Sequence, residues 1–237
     1  MVNLLDPTNV ITRMFNAGKY DDMRDYCKKI LEKTPNDMVA LQNLSLALIY
    51  LQQYEEAIIY CDKVLDAKDS DTYALKNKIY AFESLNQHQQ VIELCKDVLS
   101  RNPNDVWILN SMALSLNELD RHQEALDFYE KSLRIDPDDV TALMNKAISL
   151  SHLKNYKDAI TFYDKAQVID PDLKEISKAK SKLYEKLGME DEAFLAAQGV
   201  LSRDMEKIKN DARENKYSVF HQFCENEFEK YDSNNKN

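Results

Sequence analysis

Apolar residues recur along this chain at helical spacing, in pairs of stripes. In ALQNLSLALIYLQQ, Leu41, Leu44, Leu48 and Leu51 fall on one face, with the small Ser45 beside them. After a break at Gln52-Gln53, YEEAIIYCDKVL carries Ala57, Ile58, Cys61, Val64 and Leu65 as a second stripe. The pattern predicts two amphipathic helices joined by a short turn, and the pair then repeats. TPND, NPND, DPDD and DPDL place Pro35, Pro103, Pro137 and Pro171 in phase on a period of 34 residues, with Asp69 of KDSD at the remaining place. A fixed period of this length marks units that cannot bury their apolar faces alone and must stack on one another. Asp37, Asp71, Asp105 and Asp139 each precede a first helix. There a carboxylate accepts free backbone amides and meets the positive end of the helix dipole, so these acids read as caps. The stretch DSDTYALKNKIYAFE resembles a calcium loop only briefly, since it lacks the Gly and the third acidic ligand such a loop needs.

Composition agrees with helices and short turns. Of 237 residues, 44% are hydrophobic and 30% charged, with three Gly and five Pro. The formal charge of −10 argues against nucleic acid as the main partner, because phosphate recognition rests on clustered Lys and Arg, which here are scattered among more numerous acids. The N-terminus MVNLLDPTNVITRMF does not read as a secretory signal. The longest apolar run, LALIYL, is far short of the roughly 20 residues that span a bilayer. A cytoplasmic protein without membrane contact is the expectation.

Chemistry was sought among the cysteines, histidines and glycines. Cys27, Cys61 and Cys95 stand 34 residues apart and share their repeat position with Tyr129 and Tyr163, where a second helix packs on its neighbours. Stacked repeats hold equivalent positions about 8–10 Å apart or more, too far for a disulfide or a shared zinc ion. The three thiols therefore read as small buried hydrophobes, and Cys224 lies outside the series. Gly18 and Gly188 are isolated and fall in the turn between paired helices, so no phosphate-cradling loop is present. His88 and His122 occupy the place of Tyr20, Tyr54 and Tyr156, which suggests ring packing at that turn. No catalytic residue, cofactor or metal is expected.

A 34-residue helix–turn–helix unit with a small residue, an aromatic four positions on and a closing Pro resembles the tetratricopeptide repeat. RHQEALDFYEKSLRIDP fits best, with Ala125, Tyr129 and Pro137 at the signature positions, and NYKDAITFYDKAQVIDP repeats it with Ala159, Tyr163 and Pro171. The chain departs from the pattern in carrying Leu at 41, 75, 109 and 143 in place of Trp. Ser45, Ile79, Ala113 and Ala147 replace Gly, and Lys78 and Lys146 stand where Leu is usual. The resemblance implies an all-α, right-handed superhelical solenoid. Six repeats run over about 4–37, 38–71, 72–105, 106–139, 140–173 and 174–207, followed by a capping helix at 208–231 and a disordered tail at 232–237.

The resemblance also implies that first helices line a concave groove where a ligand sits. The side chains expected there are Asn43, Leu46, Ile49, Tyr50, Tyr73, Asn77, Tyr80, Trp107, Asn110, Leu114, Met144, Asn145 and Ile148. First helices are thus apolar on two sides, and a second stripe must be covered or reserved for a partner. Asn43, Asn77 and Asn145 recur in phase, with Asn9 and Ser111 completing the series. They serve either as a ladder gripping a peptide backbone, as in arrays resembling that of O-linked N-acetylglucosamine transferase, or as helix–helix hydrogen bonds. The family's carboxylate clamp is not matched, since Thr8, Thr12, Gln42, Leu46 and Tyr73 fill its positions. Lys178, Lys182, Lys186, Glu175 and Glu185 read as a solvated face of the last repeat, and Phe220, Phe223, Cys224, Phe228 and Tyr231 as one face of the capping helix. The expected function is a non-enzymatic adaptor binding an apolar or aromatic peptide or helix. Self-association through the groove or the C-terminal helix, and a small-molecule site among the aromatics, remain open alternatives.

Overall fold

The computed structural model describes residues 7–234, with the side chains of residues 8–227 and 230. The described residues form fourteen helices and no strand, and the chain is an all-α repeat solenoid. It divides into two compact units, Met1–Pro103 and Asn104–Asn237. The first unit holds α1 (Pro7–Asn16), α2 (Tyr20–Lys33), α3 (Met38–Tyr50), α4 (Tyr54–Ala67), α5 (Thr72–Ser84) and α6 (His88–Arg101). The second holds α7 (Val106–Glu118), α8 (His122–Ile135), α9 (Val140–His152), α10 (Tyr156–Ile169), α11 (Lys174–Lys186), α12 (Glu190–Ala197), α13 (Ser202–Asn215) and α14 (Val219–Asn234). No described helix is long and apolar enough to cross a membrane.

Most first-helix boundaries have a local cause. Asp37, Asp71, Asp105 and Asp139 accept the amides of Ala40, Ala74, Ile108 and Ala142 at 2.9, 3.1, 3.2 and 3.1 Å, so all four acids are N-caps. First helices end on a residue in the left-handed region: Gly18, Gln52, Asn86, Asp120, Lys154 and Gly188, with φ between 55° and 72°. The next residue then donates back into the last turn, as Gln53 does to the Leu48 carbonyl at 2.8 Å, which satisfies carbonyls the helix end leaves open. Glycine alone adopts this φ without a Cβ penalty, which explains Gly18 and Gly188; the other four positions tolerate it with longer side chains.

The cores follow the repeat. In the first unit Met23, Cys27, Leu44, Leu48 and Ala57 form one buried cluster, and Leu41, Cys61, Val64 and Ala74 form the next. In the second unit one cluster runs from Leu126 through Tyr163 and Ile176 to Leu195 and Met205. Cys27, Cys61 and Cys95 are buried and form no disulfide among the described residues, and burial pushes the Cys27 thiol up to about 12 and the Cys61 thiol up to about 11. Such thiols stay protonated, as core residues should.

The C-terminal end departs from the expected period. A sixth repeat to 207 followed by one helix over 208–231 is replaced by a short α12, a left-handed Gly199 (φ 82°), and α13 starting at Ser202. The early break is held by side chains: Gln167 Nε2 donates to the Gly199 carbonyl at 2.7 Å and Lys180 Nζ to the Val200 carbonyl at 3.1 Å. A second break comes at Lys216 (φ 59°), after which Ser218 Oγ accepts the His221 amide at 3.2 Å and caps α14. Residues 232–234 of the expected disordered tail belong to α14, and 235–237 lie outside the described residues, as do residues 4–6 of the first repeat. Phe220 and Phe223 pack on Phe194 at 5.4 and 5.7 Å, while the side chains of Phe228 and Tyr231 lie outside the described residues.

Candidate partner-binding faces

Within each unit, first helices pack on first helices: α1 on α3, α3 on α5, and α7 on α9. Second helices meet one another at most marginally. Helices crowded on one side and splayed on the other curve the layer, so the first-helix side is the inner one in each unit.

On α3 and α5 the first unit exposes Tyr50 (49%), Tyr73 (75%) and Tyr80 (47%), together with Val39. Tyr50 stacks on Tyr20 at 4.5 Å and meets Phe15 edge-on at 5.3 Å. Tyr80 lies 6.5 Å from Tyr54. Leu46 is half-buried against the core, and Ile49, expected on the groove face, is 8% exposed and belongs to that core. Its place in the last turn of α3 points it back toward α1 and α2 rather than outward. In the second unit Trp107, Leu114 and Met144 are half-buried and Ile148 is 37% exposed.

The asparagines divide between the two roles left open. Asn77 Nδ2 donates to Ser45 Oγ at 3.1 Å, tying α5 to α3, and Asn43 Nδ2 turns onto the Val39 carbonyl of its own helix at 2.7 Å. Asn110 Nδ2 donates to Asp139 Oδ2 at 2.6 Å, so the cap of α9 is anchored to α7; its own carbonyl oxygen is buried and without a partner among the described residues. Gln42 does the same to Asp71 at 2.9 Å. Burial alone would raise the Asp71 pKa, but the Ala74 amide, Gln42 and Lys68 outweigh it and hold this carboxyl below its ordinary value. Half-buried Asn145 makes no side-chain hydrogen bond within the described residues.

Contacts between the start of a second helix and the end of the next first helix also recur. Tyr20 stacks on Tyr50, His122 on His152 at 4.3 Å, and Lys186 Nζ sits 5.3 Å over the Tyr156 ring. The ring-packing role expected of His122 is therefore observed.

One feature was missed in the sequence. Lys78, Lys146 and Lys180 hold one repeat position and each reaches an acid 16 residues upstream. Lys78 meets Asp62 at 2.6 Å, Lys146 meets Glu130 at 3.2 Å, and Lys180 is paired with Asp164. Lys146 also lies 4.4 Å over Phe162. Lys180 is fully buried and donates to Gln167 Oε1 at 2.9 Å as well. The signal lay in co-occurrence: where Leu44 and Met112 replace the lysine, Lys28 and Lys96 replace the acid.

A cleft of about 980 Å³ lies between α13 and α14, lined by Val200, Asp204, Ile208, Asp211 and Phe223 among others. Its acids and lysines are mixed in sign, and Lys230 pairs with Glu227 at 2.6 Å.

The family model described as "Psidin, N-terminal TPR repeats region" matches residues 10–112 and, in a second register, 48–160. No curated protein matches the chain. Among solved structures, a tetratricopeptide repeat protein from Parabacteroides merdae is similar over 81% of this chain and 76% of its own, with 18% identity and a TM-score of 0.70. MamA from Desulfovibrio magneticus RS-1 is similar over 70% of this chain and 94% of its own, with 18% identity and a TM-score of 0.65. YrrB, described as a TPR protein with an unusual peptide-binding site, is similar over 73% and 89% of the two chains, with 14% identity and a TM-score of 0.60. At these identities the structural likeness concerns the fold.

Proposed function

This chain belongs to the tetratricopeptide-repeat family, a family of protein-interaction scaffolds, and from that premise we propose that its first-helix faces bind an apolar or aromatic peptide or helix of a partner protein. The observation that carries the reading is the exposure of Tyr50, Tyr73 and Tyr80 on two adjacent first helices of the first unit. Tyrosine presents a large amphipathic surface at small entropic cost and is enriched where partners bind tightly. Met144, Asn145 and Ile148 on α9 offer the second unit's counterpart, with an amide not yet engaged. The mechanism is recognition without a covalent step, in a reducing compartment such as the cytoplasm, where the buried thiols stay reduced. A peptide-binding neighbour such as YrrB is a precedent on this fold, not a source of residue roles.

The test places a photoreactive amino acid at Tyr73 and, separately, at Ile59, which is exposed on the second helix α4. Partner crosslinks from position 73, lost in a folded Tyr50→Ala/Tyr80→Ala background, support the reading. Equal crosslinking from position 59, or no change in that background, would sink it.

A further inference from the structure

The outward side of α14 is aromatic where a solvated helix is polar. Gln222 is buried and Val219, Phe223 and Asn226 are half-buried, so this side faces the fold, where α14 packs on α12 and α13. At 3.6 residues per turn Phe220, His221 and Cys224 point the other way. All three are exposed, Phe220 at 61% even with its ring 5.4 Å from Phe194. Tyr217, two residues before the helix and itself exposed, lies edge-on to the His221 ring at 4.2 Å and extends the patch.

The outward side of an amphipathic helix normally carries its charge. On α14 the charges stand at the margins of the patch: Glu225 on one side, 3.6 Å from His221 Nε2, and Glu227 on the other. Clustered exposed rings of this kind mark a contact surface.

The pattern about Cys224 points to the occupant. Phe220 stands four residues before Cys224 and Phe228 four after; Tyr217 stands seven before and Tyr231 seven after. Steps of four and seven return to one helix face. Charge runs the opposite way: from Lys216 to Cys224 the charged or titratable side chains are Lys216 and His221, whereas from Glu225 to Asp232 four acids, Glu225, Glu227, Glu229 and Asp232, face one cation, Lys230. Two copies laid antiparallel set the basic start of one helix against the acidic end of the other. Laid parallel, they set acid against acid.

We infer that α14 is a self-association surface, through which two copies of the chain pair antiparallel about a twofold axis at Cys224. A twofold contact uses one self-complementary patch on both copies, and aromatic residues placed symmetrically about a centre with charge reversed across it meet that condition. The helix is about 24 Å long, so the contact is small and the dissociation constant is about micromolar. This surface is separate from the aromatic inner face of the first unit, and the inference does not rest on that reading.

Sedimentation velocity of the full chain tests it. The mass rises from one chain to two as the concentration passes through the micromolar range. Cys224→Glu changes an exposed residue and sets two carboxylates at the axis, so it raises the dissociation constant at least about tenfold. Val168→Glu, at an exposed apolar residue of α10, leaves it unchanged. Circular dichroism and thermal unfolding of the dilute Cys224→Glu variant match the wild type, which separates loss of pairing from loss of fold. A thiol reagent modifies Cys224 at once in the dilute chain and more slowly as the concentration rises through the same range. Spin labels in a Cys224→Ser/Lys230→Cys variant give the direction: six residues from the centre on each copy separates them by about 18 Å along the helices when antiparallel, against about 10 Å when parallel. A chain still monomeric at about 100 μM, or a dimer indifferent to Cys224→Glu, overturns the proposal. The short label separation overturns the antiparallel arrangement. A dimer lost instead in Tyr50→Ala/Tyr80→Ala would move self-association to the inner face and overturn the assignment to α14.

Discussion

Leu44 and Lys180 hold the same place in their repeats and are both fully buried, yet one is an aliphatic side chain and the other an ammonium. Leu44 sits in a cluster with Met23, Cys27 and Leu48. Lys180 is surrounded by Asp164, Gln167 and the Val200 carbonyl. The position therefore demands filled volume and satisfied polar atoms rather than apolarity. What decides between the two solutions is the residue 16 places upstream: Lys28 for Leu44, Asp164 for Lys180. The difference also has a structural consequence. The Lys180 network holds the carbonyls of the loop after α12, which ends the second helix early and starts α13 ahead of the period.

The largest effect comes from forcing the wrong solution on the first unit. Leu44→Lys, with Lys28 still in place, puts an unpaired cation in a tight core and costs about 5 kcal/mol, read as the shift in the urea midpoint. Adding Lys28→Asp supplies the acid and recovers a large part of that loss; if it recovers nothing, the upstream residue does not govern the position. Next comes Lys180→Ala, which strands the Asp164 carboxylate and the Gln167 amide. Asp164 is 21% exposed and can rehydrate, so the expected loss is smaller, about 3 kcal/mol. Because the break after α12 depends on this network, amide exchange should rise in α12 and at the start of α13 and not in α8. Uniform exchange changes would contradict the assignment.

The same pair explains what the sequence disclosed and what it concealed. Period, caps and the turn glycines were legible because each is local: Asp139 caps with an amide three residues on, and Gly188 needs only its own φ. The burial of Cys27, Cys61 and Cys95 was legible because one position repeats. The C-terminal break was not, since it depends on Lys180 meeting Val200, 20 residues away, after the period has been followed to its end. On the inner faces, exposure of Tyr73 and Tyr80 follows the helical pattern, whereas the burial of Ile49 depends on how α1 and α2 close over α3. Asn110 looked free for a ligand because its acceptor, Asp139, lies 29 residues on and already appeared occupied as a cap; Gln42 and Asp71 repeat the arrangement.

An intermediate case sharpens the comparison. Lys146 is 8% exposed, but its partner Glu130 has a side chain 55% exposed, and the ammonium gains a second contact over Phe162 at 4.4 Å. Lys146→Met, a side chain of similar length, gives up a partly solvated pair and a cation–π contact while keeping the packing. The expected loss is about 1 kcal/mol, against about 3 kcal/mol for the buried pair. A loss equal to that of Lys180→Ala would mean that burial of the acid does not matter.

The smallest effect concerns the thiol beside Leu44. Cys27 shares its cluster, and burial pushes its thiol up to about 12 from an ordinary value near 9. A raised pKa means the folded state keeps a proton that the unfolded chain releases above about pH 9. The contribution is therefore fully present below pH 9 and is lost as pH climbs toward about 12. Cys27→Ala should flatten the fall in stability between those limits, at most by about 1.4 kcal/mol per pH unit for one group, beside a cavity penalty that does not depend on pH. At neutral pH the same burial separates the thiols by rate. A thiol reagent should modify exposed Cys224 at once and Cys27 only through opening of the fold, and Leu44→Lys should speed the second reaction far more than the first. If Cys27 reacts as fast as Cys224 in the wild-type chain, the packing around Leu44 is not closed, and the contrast with Lys180 loses its apolar half.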